Sequence, residues 1–573
     1  MAGDILMIEV SQSLYLPAMF VLRLHNKDMK WNDSTLLAIG VEVNIKLGQE
    51  QNGIKPVFKG EITALELNAS NDGKPTLTVR GYDRLHRLQR GRKTEVFLQK
   101  TDSDIVSQIA MSAGMSAQIE GGTGILHDYF LQDNQTDLEF LQQRARRLGL
   151  ELVADDKRLL MQKRTMTRSQ TATIEWGQNL LHFNCRVSAE DQVSEVVVRG
   201  WDVKKKEAIV GKVSKPDNHP SSTLGSTGPT MGNKFGAAKT ASVYWPVETQ
   251  EEAQKVAQAI LDDLDGRLMQ MEGSCFGEAS IKPGYPIEMK GLGRNYSGKY
   301  YVTSCLHHYS AKGYTTHFEA NGRQANTFAE LISQTNPVSQ GVGGTVVGIV
   351  TKNTGPNKEI GQIQVKFPWL GENVISAYAR LVSPMTGNDR GFLFLPEIND
   401  EVLLAFEQGD VNRPYVLGAV WNGKDIAPEK SDKLVSSDGK INQRMLKTRV
   451  GHTLLFDDSP DKPAISIIDK TGKNKITIDS TTGTITIEND MGDVVLKAPK
   501  GKISLESMTL EIKAETSAKL NTTNLEMDAK ASAKMSGATI EVSGKGSAKV
   551  TAPTTEIDGT AMVQIKGGIV KLN

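Results

Sequence analysis

Near its end the chain reads Ser517-Ala518-Lys519-Leu520, then Ser532-Ala533-Lys534-Met535, then Ser547-Ala548-Lys549-Val550, at intervals of fifteen residues. A second set of near-copies, beginning with Thr509-Leu510-Glu511-Ile512, recurs at 524–527 and 539–542 and interleaves with the first. Internal repeats of this kind limit the possible architecture more than any other sequence feature.

Each fragment has two apolar residues that flank one polar or charged residue. A strand would therefore place the apolar pair on one face and the charge on the other. The spacing of consecutive pairs alternates between seven and eight residues. The predicted inward pairs are Ile503/Leu505, Leu510/Ile512, Ala518/Leu520, Leu525/Met527, Ala533/Met535, Ile540/Val542, Ala548/Val550, Thr555/Ile557, Val563/Ile565 and Val570/Leu572. Their Ile, Leu, Met and Val side chains from Ile503 to Ile565 are the predicted core of the structure that this repeat forms.

The residue in the middle of each pair points to the opposite face. From the pair Leu510/Ile512 onward these residues are Glu511, Lys519, Glu526, Lys534, Glu541, Lys549, Glu556, Gln564 and Lys571. Strands stacked one repeat apart would set opposite charges beside each other, which favours one register and penalises slippage.

Such short strands must be closed around an axis. A strand with two buried residues is not stable by itself, and a stack from one chain would leave long unpaired edges. Single-chain solenoids commonly use ~20 or more residues per turn. We therefore predict an intertwined triangular β-helix, in which each of three chains contributes one side per layer and layers ~4.8 Å apart give a shaft on the order of 50 Å. A low-complexity linker is the alternative, but random composition would not keep the alternation.

Composition narrows the class of protein. At 573 residues the chain is several domains long. Lys plus Arg equals Asp plus Glu, at 67 each, so charge gives no argument for a nucleic-acid partner. Cys185, Cys275 and Cys305 show no metal-binding or redox spacing and fit reduced thiols. The N-terminus shows no signal-peptide pattern and no apolar segment has the length of a membrane span, so we expect folding in the cytoplasm.

Residues 1–340 are predicted to form one mainly β domain with barrel-like subdomains. Amphipathic helices are expected near 102–113, capped by Asp102 or Ser103, and near 136–148, where Thr136 and Glu139 have capping-box spacing. The polar stretch 204–240 predicts an exposed loop, and a further helix is expected at about 248–270.

The rest of the chain divides into three predicted parts. A glycine-rich hinge at 341–344 introduces an OB-type barrel over 341–425, with strands near 346–351, 361–367, 390–396, 401–406 and 414–420. Residues 426–470 are a predicted neck, and 471–573 the β-helical needle.

Several motifs in this order of parts resemble a known family. They are Asp-Leu-Glu-Phe-Leu at 137–141, Gly-Lys-Tyr-Tyr-Val at 298–302, Gly-Gln-Ile-Gln-Val-Lys-Phe-Pro-Trp at 361–369, Gly-Phe-Leu-Phe-Leu-Pro at 391–396, and Phe-Glu-Gln-Gly-Asp-Val-Asn-Arg-Pro at 406–414. Through them the chain resembles the VgrG-type spikes of contractile injection systems, which include phage tail hubs and spikes and extracellular phage-tail-like particles.

The resemblance implies a homotrimeric puncturing spike docked on an inner tube and baseplate. It also implies a PAAR-type tip protein bound at Val570, Lys571, Leu572 and Asn573, with effector cargo as an option. The extracellular particle is favoured over a type VI or phage spike, because no effector domain follows the needle. No lysozyme-like insert separates Trp421 from Leu446 and the last histidine is His452, so an enzyme-bearing or iron-tipped spike is disfavoured.

No catalytic, cofactor or metal site is predicted. Adjacent acids such as Asp155-Asp156, Asp262-Asp263 and Asp457-Asp458 are interpreted as surface turns or solvated faces, and the rings of His307 and His308 should point oppositely in a strand. Two runs of basic residues each allow two interpretations. Arg84, Arg87, Arg90, Arg92 and Lys93 could face an acidic partner or solvent; Arg144, Arg146 and Arg147 slightly favour an interface.

Overall fold

The computed structural model describes residues 2–14, 16–49, 53–71, 73–121, 124–169, 171–219, 221–222, 226–242, 246–322, 343–356 and 361–572. The predicted hinge at 341–344 lies partly outside these ranges, as does Asn573. The chain divides into two compact units, Met1–Asp438 and Gly439–Asn573, which are treated separately below.

A large antiparallel sheet organises the first unit. Nine described strands form it, in the spatial order Leu180–Val187, Met269–Phe276, Gly313–Ala320, Ser304–Ser310, Ile5–Ser13, Met19–His25, Thr76–Tyr82, Gly53–Asn68 and Glu42–Gln49. Alternate side chains such as Val10, Phe20 and Leu24 are fully buried in its core. The prediction of a mainly β domain is confirmed here.

Two helices pack into a second core in this unit. They span Asp102–Ser112 and Asp137–Arg147, and each begins with a capping box. The predicted Thr136–Glu139 box is confirmed. The first helix is capped by Thr101, so the prediction of Asp102 or Ser103 was wrong; Thr101 and Asp104 have the same three-residue spacing. The strands around these helices are Lys93–Thr101, Ser116–Ile119, Leu126–Gln135, Leu150–Asp155 and Arg158–Lys163.

A third helix, Gln250–Asp265, lies within the predicted 248–270 and packs on a small sheet. That sheet contains Glu195–Asp202, Glu207–Val213 and Lys239–Ser242. The stretch 204–240 was therefore wrongly predicted as one exposed loop, because Ile209 and Val213 turn inward against the helix. Other short elements of the unit are Thr173–Glu175, Ser221–Ser222, Gly228–Gly232, Pro286–Lys290, Gly293–Tyr296, Gly298–Tyr301 and Ser431–Leu434. Short 3-10 helices lie at Ala2–Asp4, Lys27–Met29, Thr35–Leu37, Arg84–Gln89, Asn233–Phe235 and Glu407–Gly409.

The predicted barrel is present as a closed barrel of five described strands. In spatial order these are Val346–Lys352, Gln362–Lys366, Ala379–Leu381, Pro414–Ala419 and Glu401–Phe406. The predicted strand at 390–396 is not one of them: beyond a two-residue hairpin of Thr386–Gly387 with Arg390–Gly391, its apolar residues Phe392 to Leu395 are exposed. The shorter Ala379–Leu381 completes the barrel instead.

The second unit begins with a five-stranded antiparallel meander. Its strands are Gln443–Lys447, Thr453–Asp457, Ala464–Ile468, Asn474–Asp479 and Thr484–Asn489. The boundary predicted between neck and needle, at 470/471, falls inside this sheet. After it the described chain runs to Leu572 without a strand or helix.

Candidate functional site

The end of the second unit has a regular pattern of sharp bends. They lie at residues 508, 515–516, 523, 530–531, 538, 545–546, 553–554, 560–561 and 568–569. Each pair predicted to point inward, from Leu510/Ile512 to Val563/Ile565, falls in a segment between two bends. The geometry of the backbone therefore repeats with the same seven-and-eight alternation as the sequence.

The side chains predicted as needle core are not buried within one chain. Burial was predicted for three wound chains, and in the single chain the exposed fractions of the fourteen side chains run from 48% for Val563 to 81% for Val550. The exposed side chains are Ile503, Leu505, Leu510, Ile512, Leu520, Leu525, Met527, Met535, Ile540, Val542, Val550, Ile557, Val563 and Ile565.

The physical reason for this exposure is that, in a single chain, no other segment packs over the apolar pairs. Among the described residues 502–572, no backbone hydrogen bond joins one segment to another, so the segments do not fold back over their own apolar pairs. Met527, for example, is 80% exposed and Val542 77%. An isolated chain thus leaves a long row of apolar side chains and unpaired peptide groups, which is the signature of a surface that another chain covers. Burial of these residues stays a prediction for the assembled state.

The predicted tip residues continue this pattern. Val570 is 49% exposed and Leu572 is 87% exposed, and Lys571 between them is also exposed. Asn573 lies outside the described residues. These side chains are accessible, and their proposed ligand remains a prediction.

The meander presents a second apolar surface that the sequence analysis did not identify as one face. Its register sets Ile467 opposite Ile476 and Ile476 opposite Ile487. The side chains on this face are Leu446, Leu454, Phe456, Ile465, Ile467, Ile476, Ile478, Ile485 and Ile487. Most are large and exposed, with fractions from 41% at Ile465 to 69% at Ile485. The Ile-x-Ile spacing of three successive segments was the signal for it.

The first basic run faces acidic groups of its own chain. Arg84 is only 5% exposed, and its Nη1 donates to Glu61 Oε1 at 3.0 Å. Arg87 Nε donates to Glu61 Oε2 at 3.0 Å. Burial opposes ionisation of Glu61, yet the hydrogen bond and charge of Arg87 keep the pKa of Glu61 below its usual value.

The same holds at the end of this run, where Arg92 pairs with Glu139 at 3.0 Å and Lys93 with Asp137 at 2.6 Å. Arg90 is exposed. Neither predicted role fits Arg84 and Arg87, which bind Glu61 within the domain, whereas Arg90, Arg92 and Lys93 are exposed, as a solvated face requires.

The second basic run is also mostly internal. Arg144 Nε donates to Asp102 Oδ1 at 2.8 Å, and the guanidinium lies 3.8 Å from the centre of the Phe130 ring. Although burial opposes it, the hydrogen bond from His127 and the charge of Arg144 hold the pKa of Asp102 well below its ordinary value. Arg147 Nε donates to Glu252 at 3.1 Å. The preference for an interface was wrong for Arg144 and Arg147, and Arg146 is exposed.

The two adjacent histidines point to opposite faces, as predicted. His307 is fully buried, with Nδ1 2.8 Å from the Tyr314 hydroxyl and Nε2 3.1 Å from the Ile281 carbonyl. Burial lowers the pKa of His307 to about 4. His308 is 3.1 Å from Glu9 on the other face. The tightly packed His307 ring is a structural group.

The described ranges also contain the cysteines and adjacent acids that could bind a metal ion or take part in catalysis. There, no three His, Cys, Asp or Glu side chains come together in a way that could hold a metal ion. All three cysteines belong to these ranges and are free thiols. Of the adjacent acids, Asp156 pairs with Lys59 at 3.2 Å and Asp262 accepts from the Asp217 backbone at 2.8 Å. No helix in the described part of the chain is long and apolar enough to cross a membrane.

Comparisons with curated proteins place the chain near type VI spikes. Over 120 residues it is 28% identical to the type VI secretion system spike protein VgrG4b of Pseudomonas aeruginosa, a match covering 18% of this chain and 15% of that protein. Over 159 residues it is 26% identical to VgrG5 of the same organism, covering 25% and 20%. The matched segments thus span a fifth or less of these relatives' lengths.

Solved structures resemble the fold more distantly. A component of the E. coli type VI secretion system aligns with 73% of this chain and 97% of its own, at 14% identity and a TM-score of 0.48. The 43 kDa tail protein of prophage MuSo2 from Shewanella oneidensis aligns with 55% and 93%, at 15% identity and a TM-score of 0.42.

Two family models match the chain. The type VI secretion system/phage-baseplate injector OB domain covers residues 346–421, which is the closed barrel described above. This match and the similarity to VgrG spike proteins confirm the predicted resemblance to VgrG-type spikes and the predicted OB barrel. The Alg8 N-terminal domain model covers residues 22–311. Because that match takes in just over half of the sequence, the chain belongs to the Alg8 N-terminal domain family.

Proposed function

We propose that the chain is the trimeric spike of a contractile injection system. Three copies dock through their N-terminal domains on an inner tube and baseplate, and their joined needle is driven through the envelope of a target cell. The protein assembles in the bacterial cytoplasm and leaves it as part of the particle.

The observation that carries this proposal is the state of residues 502–572 in one chain. The apolar pairs are half to four-fifths exposed, and the peptide groups of successive segments do not hydrogen-bond to each other. Three copies wound around one axis would supply both missing partners, because the apolar pairs meet at the axis and each segment gains a neighbouring strand. A shaft without free edges can be pushed through a membrane without unfolding strand by strand.

The end of the needle is the proposed binding site of a PAAR-type tip protein. In the trimer, Val570 and Leu572 of each copy would present an apolar platform, and Lys571 a ring of positive charge. Effector cargo could travel with the tip. Mixing purified trimer with a PAAR-type protein from the same genome should give a complex that Leu572→Asp weakens and Gln564→Asp leaves intact.

We propose a non-enzymatic role, and an enzyme-bearing spike is the rival. Lysozyme-like activity would need a cleft with paired carboxylates, whereas Asp156 pairs with Lys59 and Asp262 accepts a hydrogen bond from the Asp217 backbone. A peptidoglycan-hydrolysis assay on the purified chain should give no turnover.

Among spikes we favour an extracellular phage-tail-like particle over a type VI or phage spike. The neighbouring genes would distinguish these three, because sheath genes would lie beside a tail-fibre set, a membrane-complex set or phage capsid genes.

The molar mass of the purified full chain is the first test. Light scattering after gel filtration should give three times the chain mass of 62.5 kDa, and electron microscopy should show a narrow shaft at one end. A monomer whose last seventy residues are cut rapidly by protease would overturn the proposal.

The second test uses the producing bacterium. Deletion of the gene should abolish assembled sheathed particles, and the wild-type gene supplied in trans should restore them. A chain with Leu525→Asp should fail to restore particles that permeabilise target cells, whereas Gln564→Asp should succeed. Normal particles in the deletion strain would refute the assembly role.

A further inference from the structure

The outward residues of the needle carry information that the proposed function does not use. Seven consecutive ones alternate in sign, and we call them the charge ladder. They are Glu511, Lys519, Glu526, Lys534, Glu541, Lys549 and Glu556. The neighbouring outward positions, Ser504 and Gln564, are uncharged, so the ladder has defined ends.

Within one chain the ladder is almost entirely unpaired. The one ion pair among the described residues 502–572 joins Glu511 to Lys513, at 3.0 Å. The other ladder side chains, from Lys519 to Glu556, are exposed and have no oppositely charged partner among the residues that the structure describes. Successive segments do not form a sheet with each other, so the alternation does not serve contacts within a chain.

The symmetry of three wound chains gives each ladder residue a partner in another copy. Because the copies are related by rotation about the axis, equal repeats of different chains lie at the same height on different sides. The next repeat of a chain turns onto the next side, one layer along, where it lies above the previous repeat of its neighbour. Strands stacked on one side thus differ by one repeat, at ~4.8 Å, and opposite charges of two chains become adjacent.

We propose that the charge ladder forms ion pairs between copies of this chain and fixes the axial register in which the three needles assemble. Glu526 of one copy would lie between Lys519 and Lys534 of its two neighbours. A slip of one repeat would bring like charges together along the whole ladder, which is destabilising. This inference rests on the proposed trimer and adds the rule by which one copy recognises another.

The ladder has a property that permits a sharp test. A swapped chain, in which every ladder Glu becomes Lys and every ladder Lys becomes Glu, also alternates in sign and should form its own trimer. A mixed trimer would place wild-type and swapped strands side by side, and each such contact would pair like charges. The two chains should therefore separate into unmixed trimers.

The experiment is co-expression of wild-type and swapped full-length chains with different affinity tags, followed by tandem purification. We expect mixed trimers to be depleted about tenfold relative to random association, because several unfavourable contacts act together. Depletion should weaken as salt is raised, since exposed charges are screened. Random mixing at low salt, or a swapped chain that cannot form trimers, would overturn the inference.

A single substitution provides a second readout. Lys534→Glu should lower the thermal midpoint of the trimer at low salt, whereas Lys545→Glu, which makes the same charge change at a bend outside the ladder, should not. Equal effects of the two variants would also count against the ladder. A wild-type chain that is monomeric would instead refute the proposed trimer, so the two failures can be told apart.

Discussion

Tyr129 donates its hydroxyl to the backbone carbonyl of Ile375 at 2.7 Å, and this bond ties the N-terminal domain to the OB barrel. Tyr129 lies on the strand Leu126–Gln135, and the neighbouring Leu131 backbone N–H donates to Asn412 Oδ1 at 2.8 Å. The Leu131 side chain belongs to the barrel core itself. The strand therefore positions the barrel by both apolar packing and hydrogen bonds.

Tyr129→Phe should loosen this junction while keeping its packing. The ring remains, but the Ile375 carbonyl loses its donor, at a cost of about 1 kcal/mol. Hydrogen exchange in the strand Leu126–Gln135 should accelerate about fivefold, as a change of that size implies. Tyr309→Phe is the control, because Tyr309 is 41% exposed and its hydroxyl has no hydrogen bond among the described residues. Equal exchange in wild type and Tyr129→Phe would show that packing alone holds the junction.

Arg144→Met should destabilise the N-terminal domain strongly. Methionine keeps much of the packing on Phe130 but leaves the buried Asp102 carboxylate without its guanidinium, which typically costs about 3–5 kcal/mol. The measurement is the denaturant midpoint followed by fluorescence. Arg90→Met, at an exposed position of the same domain, should change stability by no more than about 0.5 kcal/mol. Similar midpoints for both variants would mean that Arg144 does not stabilise the buried Asp102 carboxylate.

Features with a local physical cause could be predicted from the sequence. The Thr136–Glu139 box follows from side chains three residues apart, and the observed bends follow the spacing of pairs such as Leu525/Met527. Both depend on neighbours along the chain. The same reasoning placed the barrel, although it chose 390–396 as a strand where Ala379–Leu381 completes the sheet.

Features that depend on distant partners could not be predicted. Arg84 and Arg144 look like surface charges in sequence, and their partners Glu61 and Asp102 lie 23 and 42 residues away. A charge run indicates a solvated or binding face only when no distant carboxylate reaches it. The apolar face of the meander was missed for a related reason: the Ile-x-Ile spacing indicates one apolar side of each strand, but only the register between strands joins those sides into one face.

His307 should make the N-terminal domain sensitive to acid. Burial lowers its pKa to about 4, from 6.5 in the unfolded chain. Between these values the unfolded chain binds the proton and the folded chain does not, so stability falls as pH drops from about 6.5 to 4, by roughly 3 kcal/mol. His307→Gln should flatten this part of the profile of unfolding free energy against pH. His308→Gln is the control, because the His308 ring lies on the opposite face of the strand, and it should keep the wild-type slope. A slope that is unchanged in His307→Gln would mean that other groups cause the acid sensitivity.

Leu525→Asp should destroy the resistance of the trimer to denaturant. In the proposed needle Leu525 of each copy points at the axis, so three carboxylates would meet there, and each unpaired buried charge costs several kcal/mol. Unboiled gel electrophoresis and the guanidinium midpoint of trimer dissociation measure the loss. The control is Gln564→Asp, which makes the same change in charge at an outward position.

The comparison of these two variants isolates the contact between chains. In a single chain both positions are exposed, with Leu525 at 59%, so neither aspartate disturbs the folding of a monomer. Any difference between the variants must therefore arise where copies meet. A Leu525→Asp trimer as resistant as the Gln564→Asp trimer would mean that the apolar pairs do not face the axis, and the alternation of seven and eight would need another cause.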